Sequence, residues 1–345
     1  MFRGSRNGAA ALGLRLVGGR TRITSISHRA PARLFPVESH APAVGFLMSG
    51  YGGGLVTGDR VGLELDLGPG TTGFGWTQGS TKVIKSKKSG LCEQSITGQI
   101  ASGALLVLTP GPVLPGAGSA FSRVQQFRCA PGASLVVVDG FESGRAANGQ
   151  RWACSSYTSK TELSDWSEAS AAAGEPWLVD SKALDKGSAL PGCGMDMVGV
   201  EREAVWSVIA LGPRAGKVQQ ELLRVSAALA ARAGACAGND LPALAGQAHM
   251  EVTARAADRD DAVVARLSAQ YTDDALRILA MCMRPLREEV GREPYADRVH
   301  AALPADRREA SHGHSAADQH ATVAEHLAMH SGLAETRGSQ RLATA

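Results

Sequence analysis

Long apolar runs are missing from this 345-residue chain. Nowhere do about eighteen hydrophobic residues follow one another, so the sequence encodes no helical membrane span. Aromatic residues are few, at 5%. An excess of one charge is lacking too: 36 Lys and Arg stand against 33 Asp and Glu, a net +3. That excess is too small to imply a nucleic-acid partner, and no basic stripe with interleaved aromatics occurs. The six cysteines (Cys92, Cys129, Cys154, Cys193, Cys236 and Cys282) are scattered, with no C-x-x-C pair. In a chain this long they predict reduced thiols in a reducing compartment, the cytoplasm, and not a disulfide framework. No acid precedes Glu38, whereas Arg3, Arg6, Arg15, Arg20, Arg22, Arg29 and Arg33 crowd the start. An Arg-rich, acid-poor lead resembles an organellar transit peptide, which is the alternative destination; a secretory signal would need an apolar segment that is not there. Residues 1–20 are therefore read as a flexible lead and candidate targeting segment, with a first strand at Thr21–Ile26.

Glycine is what the chain has in quantity: 41 of 345 residues, about 12% where about 7% is usual. Some of it recurs in a pattern. Leu63 to Trp76, Ile96 to Leu108 and Gln126 to Val138 each read as strand, tight turn, strand. The turn glycines Gly70, Gly103 and Gly132 return about every thirty residues, as stacked β-rungs require. In Val61–Leu67 the apolar residues Val61, Leu63, Leu65 and Leu67 alternate with Gly62, Glu64 and Asp66, which predicts one buried face. Leu135–Val138 is a short continuous apolar run, as for a strand covered on both faces. Another strand is expected over Val205–Leu211, stopped by Gly212-Pro213.

The character changes after Pro213. Val218, Leu222, Val225 and Leu229 follow helical spacing within a stretch of good helix formers. A second helical stretch is expected from Ala262 to Val290, ended or kinked by Pro285, with a loop over 236–260. The expected fold is mainly β, a β-helix-like layered scaffold with about two C-terminal α-helices. The expected boundaries are one domain over 21–295, β-rich over 21–213 and helical over 214–295. A polar, His-rich tail, expected to be disordered, fills 296–345.

Two loops imitate nucleotide motifs and fail them. Gly68-Pro-Gly-Thr-Thr-Gly73 matches G-x-G-x-x-G, but a strand pattern follows it where a dinucleotide site needs a helix. Gly53-Gly-Leu-Val-Thr-Gly58 opens like a P-loop, but Asp59-Arg60 replaces the Lys-Ser/Thr that would hold phosphate and Mg²⁺. The basic run Lys82, Lys85, Lys87 and Lys88 reads as a solvated edge, or as a docking surface for an acidic partner. Asp139, Glu142 and Arg145 follow a buried strand with no nearby nucleophile or His, which favours an ion-paired turn over acid–base chemistry. Six of nine histidines lie late in the chain, among them His312, His314, His320, His326 and His330. Imidazole suits nickel, zinc and copper, and His326 and His330 are spaced to share a helix face.

Several blocks together say more than these parts. Ser49-Gly-Tyr-Gly-Gly-Gly-Leu-Val-Thr-Gly-Asp-Arg60 resembles the signature loop of the UreD (UreH) family of urease accessory proteins. Thr77 to Ser86 is similar to that family's block with a Thr-Lys pair, here Thr81-Lys82, and Pro110 to Pro115 to its proline-bearing segment. Val138 to Arg145 and Gly149 to Trp152 resemble a further block, although Gln150 stands where an acid is commoner. Ile209 to Pro213, and Leu276 through Glu293-Pro-Tyr295, resemble the closing strand and helix. The blocks run in order across about residues 21–295.

The resemblance implies a scaffold and no enzyme. It implies partners of the UreF type and, through them, the GTPase UreG, docking on apo-urease, and nickel held in transit with no tightly bound cofactor. It implies structural roles for Gly52, Gly53, Gly54, Gly58, Asp59, Thr81, Lys82, Asp139, Gly144 and Arg145. Asp59, Glu64 and Asp139 are candidates for a transient metal path, and the tail histidines for weak sites. Two competing readings are a metal-buffering protein acting through the tail and a β-solenoid enzyme acting on carbohydrate, which would need paired carboxylates on one rung.

Overall fold

The structure is a computed structural model that describes residues 8–37, 42–50, 53–85, 90–145, 150–167, 174–185, 202–233, 248–254 and 259–302. The strands of its first half are β1 (Gly8–Val17), β2 (Arg20–Arg29), β3 (Ala32–Val37), β4 (Val44–Gly50), β5 (Leu55–Val56), β6 (Arg60–Leu67), β7 (Thr72–Thr77), β8 (Thr81–Ile84), β9 (Cys92–Ile100) and β10 (Leu105–Thr109). Then come β11 (Val113–Pro115), β12 (Ala120–Cys129), β13 (Ser134–Glu142), β14 (Gly144–Arg145), β15 (Gln150–Arg151), β16 (Ser156–Asp165), β17 (Pro176–Asp185) and β18 (Ala204–Leu211). Helix α1 (Gly216–Ala233), the hairpin β19 (Ala248–Ala254) and β20 (Ala262–Ala269), and helices α2 (Thr272–Met283) and α3 (Arg287–Val290) complete the first of two units, which ends at Tyr295. Helix α4 (Ala296–Ala302) is the described part of the second.

The thirty-residue repeat is a real structural repeat. Strands β6, β9 and β12 stack parallel and in register, with Leu67 beside Ile100 and Ile100 beside Cys129. Strands β7, β10 and β13 do the same, with Thr72 beside Leu105 and Leu105 beside Ser134. The three turns between them place Gly70, Gly103 and Gly132 at φ 68°, 70° and 75°. Left-handed backbone costs an L side chain roughly 1–2 kcal/mol, which is why glycine returns here. The turns also bond to one another: the Gly70 N–H donates to the Ser102 carbonyl and the Gly103 N–H to the Gly132 carbonyl, both at 3.1 Å.

Stacking of this kind yields two sheets. One runs β17-β16-β12-β9-β6-β1-β2; the other runs β19-β20-β18-β13-β10-β7-β4-β3, with β11, β8 and β5 branching from it. Leu63, Leu65 and Leu67 face inward, as their alternation predicts, against Leu106, Phe127 and Val137. Helices α1 and α2 cover the outer face of the second sheet. Val218, Leu222, Val225 and Leu229 are all buried there with Leu276, Leu279 and Met283, giving a three-layer β/β/α body. Fully burying each such aliphatic side chain contributes about 1.5–3 kcal/mol. The four described cysteines, Cys92, Cys129, Cys154 and Cys282, are buried and free; burial pushes the Cys129 and Cys282 thiols up to about 12, so they serve as small core residues.

Two sequence expectations change. Residues 8–17 are not a free lead: β1 pairs parallel to β6, Leu12 beside Leu65, and buries Ala10, Leu12 and Leu14. Residues 1–7 lie outside the described residues. The expected helical half also contains a β-hairpin. Residues 262–269 form a strand because both of their faces are buried: Val263, Ala265 and Leu267 meet the helices, while Val264 meets the interior between the sheets. Strand β20 pairs with β18, Val208 beside Ala265. An apolar run covered on both sides carries no clear period, and its alanines and leucines imitate a helix.

Candidate functional site

The interior of the sandwich is not apolar throughout. Its inward positions alternate along β12 as Phe121, Arg123, Gln125, Phe127, and along β16 as Tyr157, Ser159, Thr161, Leu163. Antiparallel β17 continues the series in reverse, as Leu184, Lys182, Asp180, Leu178. Register aligns the polar pairs. Gln94, Arg123, Ser159 and Lys182 are successive partners across one sheet. Asp139, Ser207 and Arg266 are successive partners across the other. A polar layer thus separates the main inter-sheet core, around Leu106 and Phe127, from a smaller one of Phe121, Phe141, Tyr157 and Cys154.

The layer is a closed hydrogen-bonded network. Arg123 Nη1 donates to Asp139 Oδ1 at 2.6 Å and Arg123 Nε to Gln94 Oε1 at 2.9 Å. Ser159 Oγ and Lys182 Nζ donate to Asp139 Oδ2 at 2.7 and 2.6 Å. Lys182 also reaches Ser207 Oγ at 2.8 Å and Asp180 Oδ2 at 3.2 Å. Arg266 Nη2 and Nε close on Asp180 Oδ1 at 2.6 and 3.2 Å. In the second row Gln125 Nε2 donates to Thr161 Oγ1 at 3.0 Å. Two carboxylates therefore stand among three cations, a net +1 within the network.

Burial by itself would raise the Asp139 pKa. Lys182 and Arg123, with hydrogen bonds from Lys182 and Ser159, overcome it and hold the group well below the usual carboxylate range. Asp180 is lowered likewise, burial being outweighed by Lys182 and Arg266. Both acids are ionised and clamped, so neither can donate a proton at neutral pH as a glycosidase acid must. The oxygens of the layer are carboxylate, hydroxyl and amide, and each carboxylate oxygen accepts from a cation. Among the described residues no three His, Cys, Asp or Glu side chains gather into a metal-holding group.

At one edge the layer meets a cleft of about 290 Å³, lined by Trp177, Leu178, Val179 and Asp180 of β17, Thr253 of β19, and Val264 and Arg266 of β20. Strands β17 and β19 each end their sheet, so the sandwich is open here. Arg259 stacks over the Trp177 ring at 4.5 Å and pairs with Asp165 at 2.8 Å and Asp261 at 3.0 Å beside it.

Of the residues expected from sequence, Asp139 lies in this layer, within β13 and not in a turn. Asp59 and Glu64 lie elsewhere. The Asp59 carboxylate accepts from the Val56 N–H at 2.8 Å and closes the signature turn. Glu64 is half-buried on the outer face of β6, opposite Leu63 and Leu65. Thr81 and Lys82 lie on β8, where the Thr81 N–H donates to the Pro112 carbonyl at 2.8 Å and Lys82 is exposed. Gly144 takes φ 107° in the β14–β15 ribbon that also contains Arg145. Gly52, Lys87, Lys88 and the tail histidines His312, His314, His320, His326 and His330 lie outside the described residues. Arg123, Ser159, Asp180, Lys182, Ser207 and Arg266 were missed; the inward polar pairs of β12 and β16 are the signal that could have found them.

The signature glycines separate into two kinds. Gly54 takes φ 148°, and a Cβ there would lie 2.5 Å from the Lys82 carbonyl oxygen. A Cβ on Gly53 would meet nothing within 4 Å. Gly54→Val should therefore cost roughly 3 kcal/mol, a fall of about 4 °C in melting midpoint at about 2.1 cal/mol/K of unfolding entropy per residue. Gly53→Val should leave it nearly unchanged, and equal melting of the two variants would refute the distinction.

The family profile described as UreD urease accessory protein matches residues 6–301. The chain is 30% identical over 298 residues to the urease accessory protein UreD of Anaeromyxobacter sp. (strain Fw109-5), covering 85% of this chain and 90% of that one. It is 34% identical over 222 residues to UreD of Sorangium cellulosum (strain So ce56), covering 64% and 67%. To urease accessory protein D of Arabidopsis thaliana it is 39% identical over 140 residues, covering 39% and 48%.

Proposed function

Because the chain belongs to the UreD family of urease accessory proteins, we propose that it serves urease maturation as a non-catalytic scaffold whose polar layer passes nickel toward apo-urease. It works with UreF- and UreG-type partners docked on the same assembly. Nickel here is cargo, not a resident cofactor. The observation that carries this reading is the layer itself, a run of oxygen donors set between two apolar clusters inside rigid stacked strands. A passage must bind weakly enough to release. Carboxylates already compensated by Lys182 and Arg123 meet that requirement, whereas a cluster of thiolates or imidazoles would trap the ion. No helix among the described residues is long and apolar enough to cross a membrane.

A paired substitution tests the passage without breaking the ion pairs. Gln125 donates to the Thr161 hydroxyl across neighbouring strands. Replacing both with apolar groups of similar shape, Gln125→Met with Thr161→Val, is close to neutral for stability. It removes the polar atoms of the second row. The double variant should melt like the wild type and still capture apo-urease with the partner proteins, yet activate it about tenfold more slowly at limiting nickel. An unchanged activation rate would assign the layer to folding alone.

A further inference from the structure

Asp180 and Arg266 belong to two places at once. They are members of the polar layer, and they line the open cleft between β17 and β20. The cleft's volume of about 290 Å³ exceeds the roughly 180 Å³ needed by a metal ion with about six waters, at about 30 Å³ per water. We propose that this cleft is the entrance to the layer and that Arg266 is its latch, closed on Asp180 and open on Glu251. The proposal rests on the reading of the layer as a nickel route.

The three cations of the layer differ in their freedom to move. The side chains of Arg123 and Lys182 are 3% and 11% exposed and lie inside the sandwich. Arg266 is 57% exposed while the Asp180 it covers is 1% exposed. It sits over a buried carboxylate as a lid, with its stem on the cleft wall. Both of its bonds go to one oxygen, Oδ1, while Lys182 holds Oδ2. Withdrawal of Arg266 therefore leaves Asp180 with a partner, and no buried charge is stranded. It also brings the layer from net +1 to zero, and Oδ1 becomes available from the cleft. A divalent cation arriving with the latch closed meets the guanidinium first and is repelled.

The open position is built into the sheet. Glu251 is the register partner of Arg266 on the neighbouring strand. It points to the same side as Thr253, which lines the cleft, and away from Met250 and Val252, which face the helices. Its carboxylate is exposed, with His249 Nε2 as a neighbour at 3.5 Å. Cross-strand partners of opposite charge attract at this separation. A single rotation of the arginine stem thus exchanges one carboxylate for another.

The test uses full-length chain assembled with apo-urease and its partner proteins, and reads the initial rate of activation against added nickel. Each variant is first matched to the wild type in melting and in urease capture; if Arg266→Ala fails that check, Arg266→Gln replaces it. At limiting nickel, Arg266→Ala should raise the rate about threefold and Glu251→Gln should lower it about threefold, both effects vanishing at saturation. Thr253→Trp, which narrows the cleft while leaving every side chain of the layer unsubstituted, should lower the rate about tenfold. A merely structural role would not give opposite signs to two single-charge changes. A wild-type rate in Thr253→Trp, or the same direction of change in Arg266→Ala and Glu251→Gln, overturns the latch. If that happens while the Gln125→Met, Thr161→Val variant is slow, the passage stands and only its entrance is wrong; if that variant is fast as well, the passage itself fails.

Discussion

Asp139→Asn is expected to destabilise the protein by about 3–5 kcal/mol, the usual cost of removing one partner from a buried ion pair. Total stabilities of about 5–15 kcal/mol make that a large fraction. The cause is what the substitution leaves behind. Arg123 and Lys182 are 3% and 11% exposed, and Asp139 is the carboxylate that both share. An asparagine still accepts a hydrogen bond, but it neutralises neither cation. The companion variant carries Asp139→Leu, Arg123→Met and Lys182→Met together. It removes the Asp139 charge together with both of its cationic partners, leaves Asp180 paired with Arg266, and should recover part of the loss, because well-packed apolar replacements of buried ion networks are often neutral. Urea denaturation of the two variants decides the matter. A loss below about 1 kcal/mol in Asp139→Asn would mean that water reaches the layer freely enough to solvate it.

The same network sets an acid limit. Asp139 and Asp180 have folded-state pKa values below the ordinary value, because their cationic partners outweigh burial. A depressed folded pKa contributes stability that is fully present above the unfolded value of about 3.9. It is lost as pH falls from there through the folded pKa values. Acid unfolding should therefore set in below about pH 4. The Asp139→Leu, Arg123→Met, Lys182→Met variant should show a shallower loss in that range, since Asp139 is gone and Asp180 has lost Lys182, the first of the cationic partners that depress it.

Much of the fold was legible because stacked rungs repeat a local signal. Gly70, Gly103 and Gly132 each need the left-handed region, and they recur at the interval at which the rungs recur. Val218, Leu222, Val225 and Leu229 kept helical spacing because only one side of α1 is buried. Strand β20 was misread for the opposite reason, since apolar contacts on both of its faces erase the period of two. The site was legible in one residue only. Asp139 was visible as an acid after a buried run, but its partners Arg123, Ser159 and Lys182 lie 16, 20 and 43 positions away. Strand order brings them together, and a single sequence does not state strand order. The inward polar pair was there to be read in Phe121-x-Arg123-x-Gln125-x-Phe127, as an alternation with the wrong chemistry for a core.

Gly140→Ala should be among the most damaging methyl additions at the described glycines, and the reason lies one residue from Asp139. Gly140 is the register partner of Trp206 in the β13–β18 pair. A Cβ built on it would fall inside the indole, closer to Cε3 and Cδ2 than real atoms approach. Trp206 has nowhere to retreat. It is fully buried in the cluster under the helices and meets the Tyr295 ring edge-on at 6.2 Å. The Tyr295 hydroxyl is itself fixed by a 3.0 Å hydrogen bond to the Pro110 carbonyl. Overpacking a tight core costs about 1–3 kcal/mol and sometimes more; with the ring pinned on both sides the expected cost is about 3 kcal/mol or above. Strand β13 is then pushed along with its neighbour Asp139, so the polar layer should lose order too. A double-mutant cycle isolates the cause. Trp206→Leu alone should cost about 3 kcal/mol for the lost ring, and adding Gly140→Ala to it should cost almost nothing further. If Gly140→Ala is equally destructive with and without the indole, the damage comes from the backbone of β13, and Trp206 is not the residue that requires glycine there.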